Sequence, residues 1–211
     1  IIALTSGAYA EESYSNYKKY SLTKTKFKLE KIAKDLEFPW ALTFLDKSNL
    51  LITEKNGGLF KININNGEKK KIKHKIQHLP YQGGHQGGLL DTYFNSNDNF
   101  IYFTYSHIFN EDSKLSSTAI AKGKLVNDEI KNLQILLIAQ PPLPNKKHFG
   151  SRISIQDDTL FASFGERDKG MIAQDPSMHP GSIVRIKTNG SIPKDNCLLY
   201  TSDAADDVRS V

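Results

Sequence analysis

One unit recurs three times in this chain, and it limits the fold more than any other feature. Each copy is an alternating apolar run, a turn rich in Asp, Asn or Ser, and a denser apolar run. The first is Ala41-Leu42-Thr43-Phe44-Leu45, the turn Asp46 to Asn49, then Leu50-Leu51-Ile52-Thr53. The second is Leu89 to Phe94, the turn Asn95 to Asn99, then Phe100 to Tyr105. The third is Ile153-Ser154-Ile155, the turn Gln156 to Asp158, then Leu160 to Phe164. A further run follows each copy, at Gly58–Ile64, Thr118–Leu125 and Ser182–Ile186. Short strands divided by turns, with no helical periodicity, predict an all-β chain. Copies spaced near the ~40–50 residues of a propeller blade predict four-stranded blades. Propellers close with ~4–8 blades. Three copies therefore read as part of a ring, with sheet edges left for other blades to cover.

The flanks do not share this pattern. Residues 1–10 are apolar, then small, ending in Ala8-Tyr9-Ala10, the pattern of a secretory cleavage site. There is no initiator methionine, so the segment reads as the remnant of a signal peptide; the alternative is a first strand. Residues 11–26 read as a polar linker rich in Ser, Lys and Tyr, and residues 27–196 as an incomplete propeller. After Asn196 the alternation stops. Residues 197–211 look non-native and resemble translated sequencing-adapter read-through; the alternative is a disordered tail.

Composition excludes some functions. The net charge of +5 comes mostly from scattered lysines, with one dense run, Lys69-Lys70-Lys71. Nucleic-acid binding would want arginines and stacking aromatics in a patch, and arginine is scarce. The lysine run reads as a solvated face on a charged inter-strand segment. No stretch is long and apolar enough to span a bilayer. Cys197 is the only cysteine, which suits an oxidising compartment. The expected location is periplasmic or secreted.

Two loops carry candidate chemistry. His148-Phe149-Gly150-Ser151-Arg152 lies between the prolines at 141, 142 and 144 and a clean strand pattern. Prolines stiffen the approach and Gly150 allows a sharp bend, so His148 can project from the mouth of a strand. Gly83-Gly84-His85-Gln86-Gly87-Gly88 holds the same position before an earlier strand pair. The pairing of the two loops favours a site over an idle surface histidine.

Five stretches in order resemble the soluble quinoprotein glucose/sorbosone dehydrogenase family. They are Phe38-Pro39-Trp40-Ala41-Leu42, Gln86-Gly87-Gly88-Leu89-Leu90-Asp91, His148-Phe149-Gly150-Ser151-Arg152, Ala173-Gln174-Asp175 and Gly190 to Asn196. They span about Lys34 to Asn196 and are similar to the N-terminal half of the aldose sugar dehydrogenases. The resemblance implies a six-bladed propeller of which about three blades are present. It also implies pyrroloquinoline quinone (PQQ) and calcium as cofactors, and oxidation of the C1 hydroxyl of aldoses to lactones. His148 is then the general base, a role that suits a side chain titrating near neutrality. Gln86 is the sugar-contacting amide, offering both donor and acceptor. Arg152 either faces the anionic cofactor or anchors a blade carboxylate; the second role is preferred. Asp91 is expected to bond between blades, and Phe38 and Trp40 to pack between them. Glu166-Arg167-Asp168 either lines the top face or forms a solvated charge cluster. His85 is a neighbour of the site, and His74, His78, His107 and His179 have no evident partner. The resemblance puts most quinone contacts and the calcium ligands in later blades, so no metal ligand is assigned here. The chain as given is expected to be inactive, and neither the sugar nor the electron acceptor can be named.

Two other classes compete. A non-catalytic propeller could bind carbohydrate or protein, since fold alone does not settle function. A hydrolase ranks last, because the chain has no G-x-S-x-G or H-E-x-x-H motif.

Overall fold

Residues 30–109 and 114–196 are described by a computed structural model. The expected signal remnant (1–10), linker (11–26) and non-native tail (197–211) lie outside these residues. Eleven strands form three antiparallel meanders. The first sheet is β1 (Pro39–Phe44), β2 (Asn49–Glu54), β3 (Leu59–Asn63) and β4 (Lys69–Lys71). The second is β5 (Leu89–Asn95), β6 (Phe100–Ile108), β7 (Ser116–Val126) and β8 (Glu129–Ile138). The third is β9 (Gly150–Gln156), β10 (Thr159–Phe164) and β11 (Ile183–Lys187), with a 3-10 turn at Gly170–Gln174. No α-helix occurs among the described residues, and none of their helical segments is long and apolar enough to cross a membrane. The all-β expectation holds, and the three sheets are the three expected units, although the third has three strands among the described residues where four were expected.

Strand periodicity explains how the sheets stack. Neighbouring side chains in a strand point to opposite faces. In β6, Ile101, Phe103 and Tyr105 face the first sheet, where they meet Leu51, Leu59, Ile72 and Ile76. The intervening Tyr102 faces the third sheet and joins Ile153, Leu160, Ala162 and Phe164. Strand β7 repeats this, with Ala119 and Ala121 on one side and Ile120 on the other. The middle sheet is thus a blade between two blades. β1 contacts β5 and β5 contacts β9, so the first strands of successive sheets adjoin. That is the arrangement around a propeller axis.

Polar ties join the blades as well. Thr53 Oγ donates to the Leu90 carbonyl (2.6 Å), Thr104 Oγ to Ser151 (2.8 Å) and Thr118 Oγ to Phe149 (2.6 Å). Each is buried and worth ~0.5–1.5 kcal/mol net. Together they set the height of one blade against the next.

Two outer strands depart from the sequence expectation. Lys69–Lys71 is strand β4, not an inter-strand segment: Phe60, Lys61 and Ile62 pair with Lys71, Lys70 and Lys69. Its residues are exposed, and edge lysines deter pairing with other chains. Three identical residues cannot show alternation, so the sequence conceals the strand. Strand β8 was not foreseen either. Its burial is irregular and two register shifts interrupt its pairing with β7.

Candidate functional site

In an antiparallel meander, the turn after the second strand and the chain entering the next sheet share one end. Four segments converge there: residues 55–58, 79–88, 145–149 and 165–169. The third sheet places the central pair. β9 and β10 pair as Thr159↔Gln156 through Ala162↔Ile153, then shift by one residue to Phe164↔Gly150. Continuing that shifted register past the strand ends sets Glu166 opposite His148; without the bulge it would face Phe149. The approach is tight, since a Cβ built on Gly165 would lie 2.1 Å from the His148 carbonyl oxygen. His148 and Ser151 have positive φ (48° and 137°), a strained backbone of the kind that collects at functional sites.

His148 Nδ1 is hydrogen-bonded to Glu166 Oε1, and the two side chains are 39% and 31% exposed. The His148 bond holds the Glu166 carboxyl below its usual range, so it is ionised at neutral pH. An ionised carboxylate only accepts. Whenever the ring is neutral, Nδ1 therefore carries the proton and Nε2 keeps its lone pair. The imidazole is set up to accept a proton at Nε2. Glu166 Oε1 also accepts from Asp168 N–H (3.1 Å), which fixes the carboxylate.

Gln86 comes to the same place from the second blade. Its Oε1 accepts the His148 backbone N–H at 2.8 Å, and its own N–H donates to Lys146 O at 3.0 Å. With Oε1 engaged, the amide NH2 group is the part left to meet a ligand. The two residues singled out in the sequence are thus brought into direct contact, though 62 positions apart.

Arg152 is placed otherwise. Its Nη1 donates to Asp91 Oδ1 at 2.9 Å, and Asp91 Oδ2 accepts the Ile153 N–H at 2.7 Å. Asp91 lies on the second blade, so it bonds between blades as expected. Burial pushes its carboxyl up, against the pull of these donors and Arg152. Arg152 is anchored to this blade carboxylate, the preferred of its two roles.

Of the two readings of residues 166–168, Arg167 does not fit the solvated cluster. It is 2% exposed, and its guanidinium donates to the carbonyls of Lys147 (2.9 Å), Ser116 (2.9 Å) and Asn145. It also stacks on the Phe149 ring at 3.9 Å. Burial lowers its pKa to about 10, still charged at neutral pH. Arg167 pins the His148 loop to the second blade. Its place between two acidic residues disguises this in the sequence.

Phe38 and Trp40, expected to pack between blades, lie at the start of the first sheet. They are 45% and 47% exposed, with Phe38 edge-on to Tyr81 and Trp40 beside the Lys55 ammonium. Of the other histidines, all but His107 have hydrogen-bond partners. His85 Nε2 bonds Pro80 O, while Nδ1 accepts the Gly87 N–H. His74 bonds Gly57 O, His78 bonds Leu79 O, and His179 bonds Gln140. His107 Nδ1 is buried without a hydrogen-bond partner.

Donor chemistry decides what else this site can hold. His148, Glu166 and Asp168 offer ligand atoms within 4.8 Å of one another. Calcium takes ~6–8 oxygen ligands. This triplet offers one nitrogen and two carboxylates, one held by His148 and the other 3.4 Å from Lys147 Nζ. It does not suit calcium. A tricarboxylate quinone needs available cations, whereas Arg152 is paired with Asp91, Lys147 with Asp168, and Arg167 with carbonyls. These residues fit a proton acceptor and an orienting amide. Arg152, Lys147 and Arg167 are thus committed and do not by themselves make the anion site of such a cofactor.

Comparison with known proteins identifies the family. The family model described as glucose/sorbosone dehydrogenase matches residues 36–211. The aldose sugar dehydrogenase YliI of Escherichia coli is 30% identical over 190 residues, covering 86% of this chain and 50% of that protein. The apo-form structure of the soluble aldose sugar dehydrogenase from Escherichia coli aligns with a TM-score of 0.70 at 28% identity, covering 79% of this chain and 49% of that one. A PQQ-bound aldose sugar dehydrogenase from Streptomyces coelicolor aligns at 0.66 with 20% identity, covering 78% and 49%, a likeness of fold. The chain spans about half the length of these relatives.

Proposed function

The chain belongs to the glucose/sorbosone dehydrogenase family, and on that premise we propose that the whole protein oxidises the C1 hydroxyl of an aldose to the lactone. One observation carries the proposal. An exposed imidazole has Nδ1 fixed by an ionised carboxylate and Nε2 free to take a proton, next to a glutamine whose amide NH2 is free to donate.

The mechanism follows from these residues. Gln86 donates to a sugar hydroxyl and orients the ring. His148 Nε2 takes the C1 hydroxyl proton as the C1–O bond becomes a carbonyl, and the C1 hydrogen departs as hydride. Glu166 holds the ring in the productive tautomer and stabilises the imidazolium that forms. Arg167 keeps the His148 loop at the right height against the second blade. PQQ, which the Streptomyces relative binds, would supply the hydride acceptor when bound. Its contacts, and the calcium that the resemblance implies, are assigned to blades outside this chain. We assign six blades to the whole protein, three of them here, and an exported location to match the apolar N-terminal run.

The test is aldose-dependent dye reduction by the whole protein, supplied with PQQ and calcium and offered a panel of aldoses. Turnover that requires both PQQ and sugar is expected. No turnover with any aldose would remove the enzymatic reading and leave a propeller that only binds.

A further inference from the structure

Gln86 follows a stretch of loop with open space around it. A Cβ added to Gly83 or Gly84 would find nothing within 4 Å, so the start of the loop stands clear of the rest of the fold. Yet the Gln86 amide must hold one position to meet both His148 and a sugar. The peptide between His85 and Gln86 decides that position, and it is held at both ends. Its N–H donates to Lys146 O at 3.0 Å, and its carbonyl, that of His85, accepts from Lys55 Nζ at 3.1 Å.

Lys55 is unusual in itself. It is 7% exposed, in the turn after β2 of the first blade. Its ammonium lies over the rings of Tyr81 (3.9 Å) and Trp40 (5.1 Å), which offer their negative faces to a cation. Its main chain holds the other end of the loop. Lys55 O accepts the Leu89 N–H at 3.2 Å, and a Cβ built on Gly88 would lie 2.0 Å from that oxygen. Lys55 thus grips the loop on both sides of Gln86, by its side chain at His85 and by its carbonyl at Leu89. Phe38 extends the support, since its carbonyl accepts the Lys55 N–H (3.0 Å) and its ring meets Tyr81 edge-on at 5.0 Å. An ammonium on that carbonyl, steadied by two aromatic faces, fixes the peptide plane.

We propose that Lys55, in its Trp40 and Tyr81 cage, is a positioning residue that sets the Gln86 amide for sugar binding. The proposal rests on the assignment of Gln86 as the sugar-orienting group. Lys55 touches neither sugar nor reacting atoms; it acts through the His85–Gln86 peptide.

The test has two arms on the whole protein. In steady-state kinetics, Lys55→Met is expected to lower kcat/KM for aldose about tenfold, mainly through KM. Lys55→Arg, which still donates and still stacks on aromatics, should stay near wild type. In a Gln86→Ala background, Lys55→Met should cause no further loss, because the two act as one unit. A full tenfold loss on top of Gln86→Ala, or an Arg variant as impaired as Met, overturns the proposal. The second arm is hydrogen exchange without sugar or cofactor. Lys55→Met should raise uptake in the peptide covering 79–90 and leave the β6 and β7 peptides unchanged; equal uptake in both proteins overturns the proposal. If the wild type oxidises no aldose, the functional assignment fails and the exchange arm alone decides Lys55. If Lys55→Met does not fold, Lys55→Gln is measured in its place, with the same outcomes.

Discussion

The joint between the second and third blades offers the sharpest quantitative test. Asp91 is 2% exposed and accepts two bonds, from Ile153 N–H at 2.7 Å and Arg152 Nη1 at 2.9 Å. Asp91→Ala removes both acceptors and strands a buried amide, which costs ~1–3 kcal/mol, together with a charge-assisted bond worth ~1.5–3 kcal/mol. Part is returned, because burial already disfavours the Asp91 charge. The net expectation is a loss of ~2–4 kcal/mol. Arg152→Ala leaves Asp91 Oδ1 buried without its cation but keeps the Ile153 N–H bond, and the exposed guanidinium is partly screened by water, so the loss should be smaller, ~1–2 kcal/mol. Urea unfolding of the whole protein measures both, through the midpoint at constant slope. An Arg152→Ala loss as large as that of Asp91→Ala would show that the ion pair, and not the Ile153 bond, carries the joint. PQQ titration of Arg152→Ala tests the arginine's other role. Unchanged affinity is expected; a tenfold weaker affinity would place Arg152 on the cofactor.

Two more predictions rest on buried groups. Arg167→Met removes the guanidinium that ties Ser116, Asn145 and Lys147 together, taking a donor from each of their carbonyls and leaving Asn145 O with the Ser116 Oγ bond. A loss of ~3 kcal/mol or more and a marked fall in activity are expected, read by urea midpoint and dye reduction; wild-type stability would contradict the latch. Acid should destabilise the fold. Burial holds His74, His78, His85 and His107 below the ordinary histidine range, so the unfolded chain binds protons first. Stability should therefore fall as pH drops through about 6.5 toward the lower native values. Glu54 and Asp91, raised by burial, work the opposite way, adding stability as pH falls through their native values. A urea midpoint at pH 5.5 equal to or above that at pH 7.5 would refute this. His107→Phe should reduce the dependence, since its unpartnered Nδ1 lies between the rings of Tyr105 and Phe109.

The sequence displays the blades because alternation is a local signal. Ile153-Ser154-Ile155 and Leu160 to Phe164 read as strands without help from the rest of the chain, and β9 and β10 form there. Where the local signal is blank, at Lys69–Lys71, or broken, at Glu129–Ile138, the strands exist because a neighbouring strand offers its free edge. The site divides in the same way. His148 and Gln86 stand out because glycines and a proline approach mark their loops. Glu166 does not, because its placement opposite His148 depends on a one-residue bulge between Ala162 and Phe164 that no residue pattern announces. Lys55 and Arg167 look like surface charges in sequence. Only the carbonyls and rings that reach them from other blades give them their roles.

The central claim is that His148 accepts the C1 hydroxyl proton. The most direct measurement is the single-turnover rate of PQQ reduction by aldose in the whole protein, wild type against His148→Ala, after PQQ and calcium loading is shown to be equal. Loss of the base should slow the reductive step by roughly 10²–10⁴ and leave loading intact. A His148→Ala protein that reduces PQQ at a near-normal rate would contradict the account and move the base to a residue outside this chain.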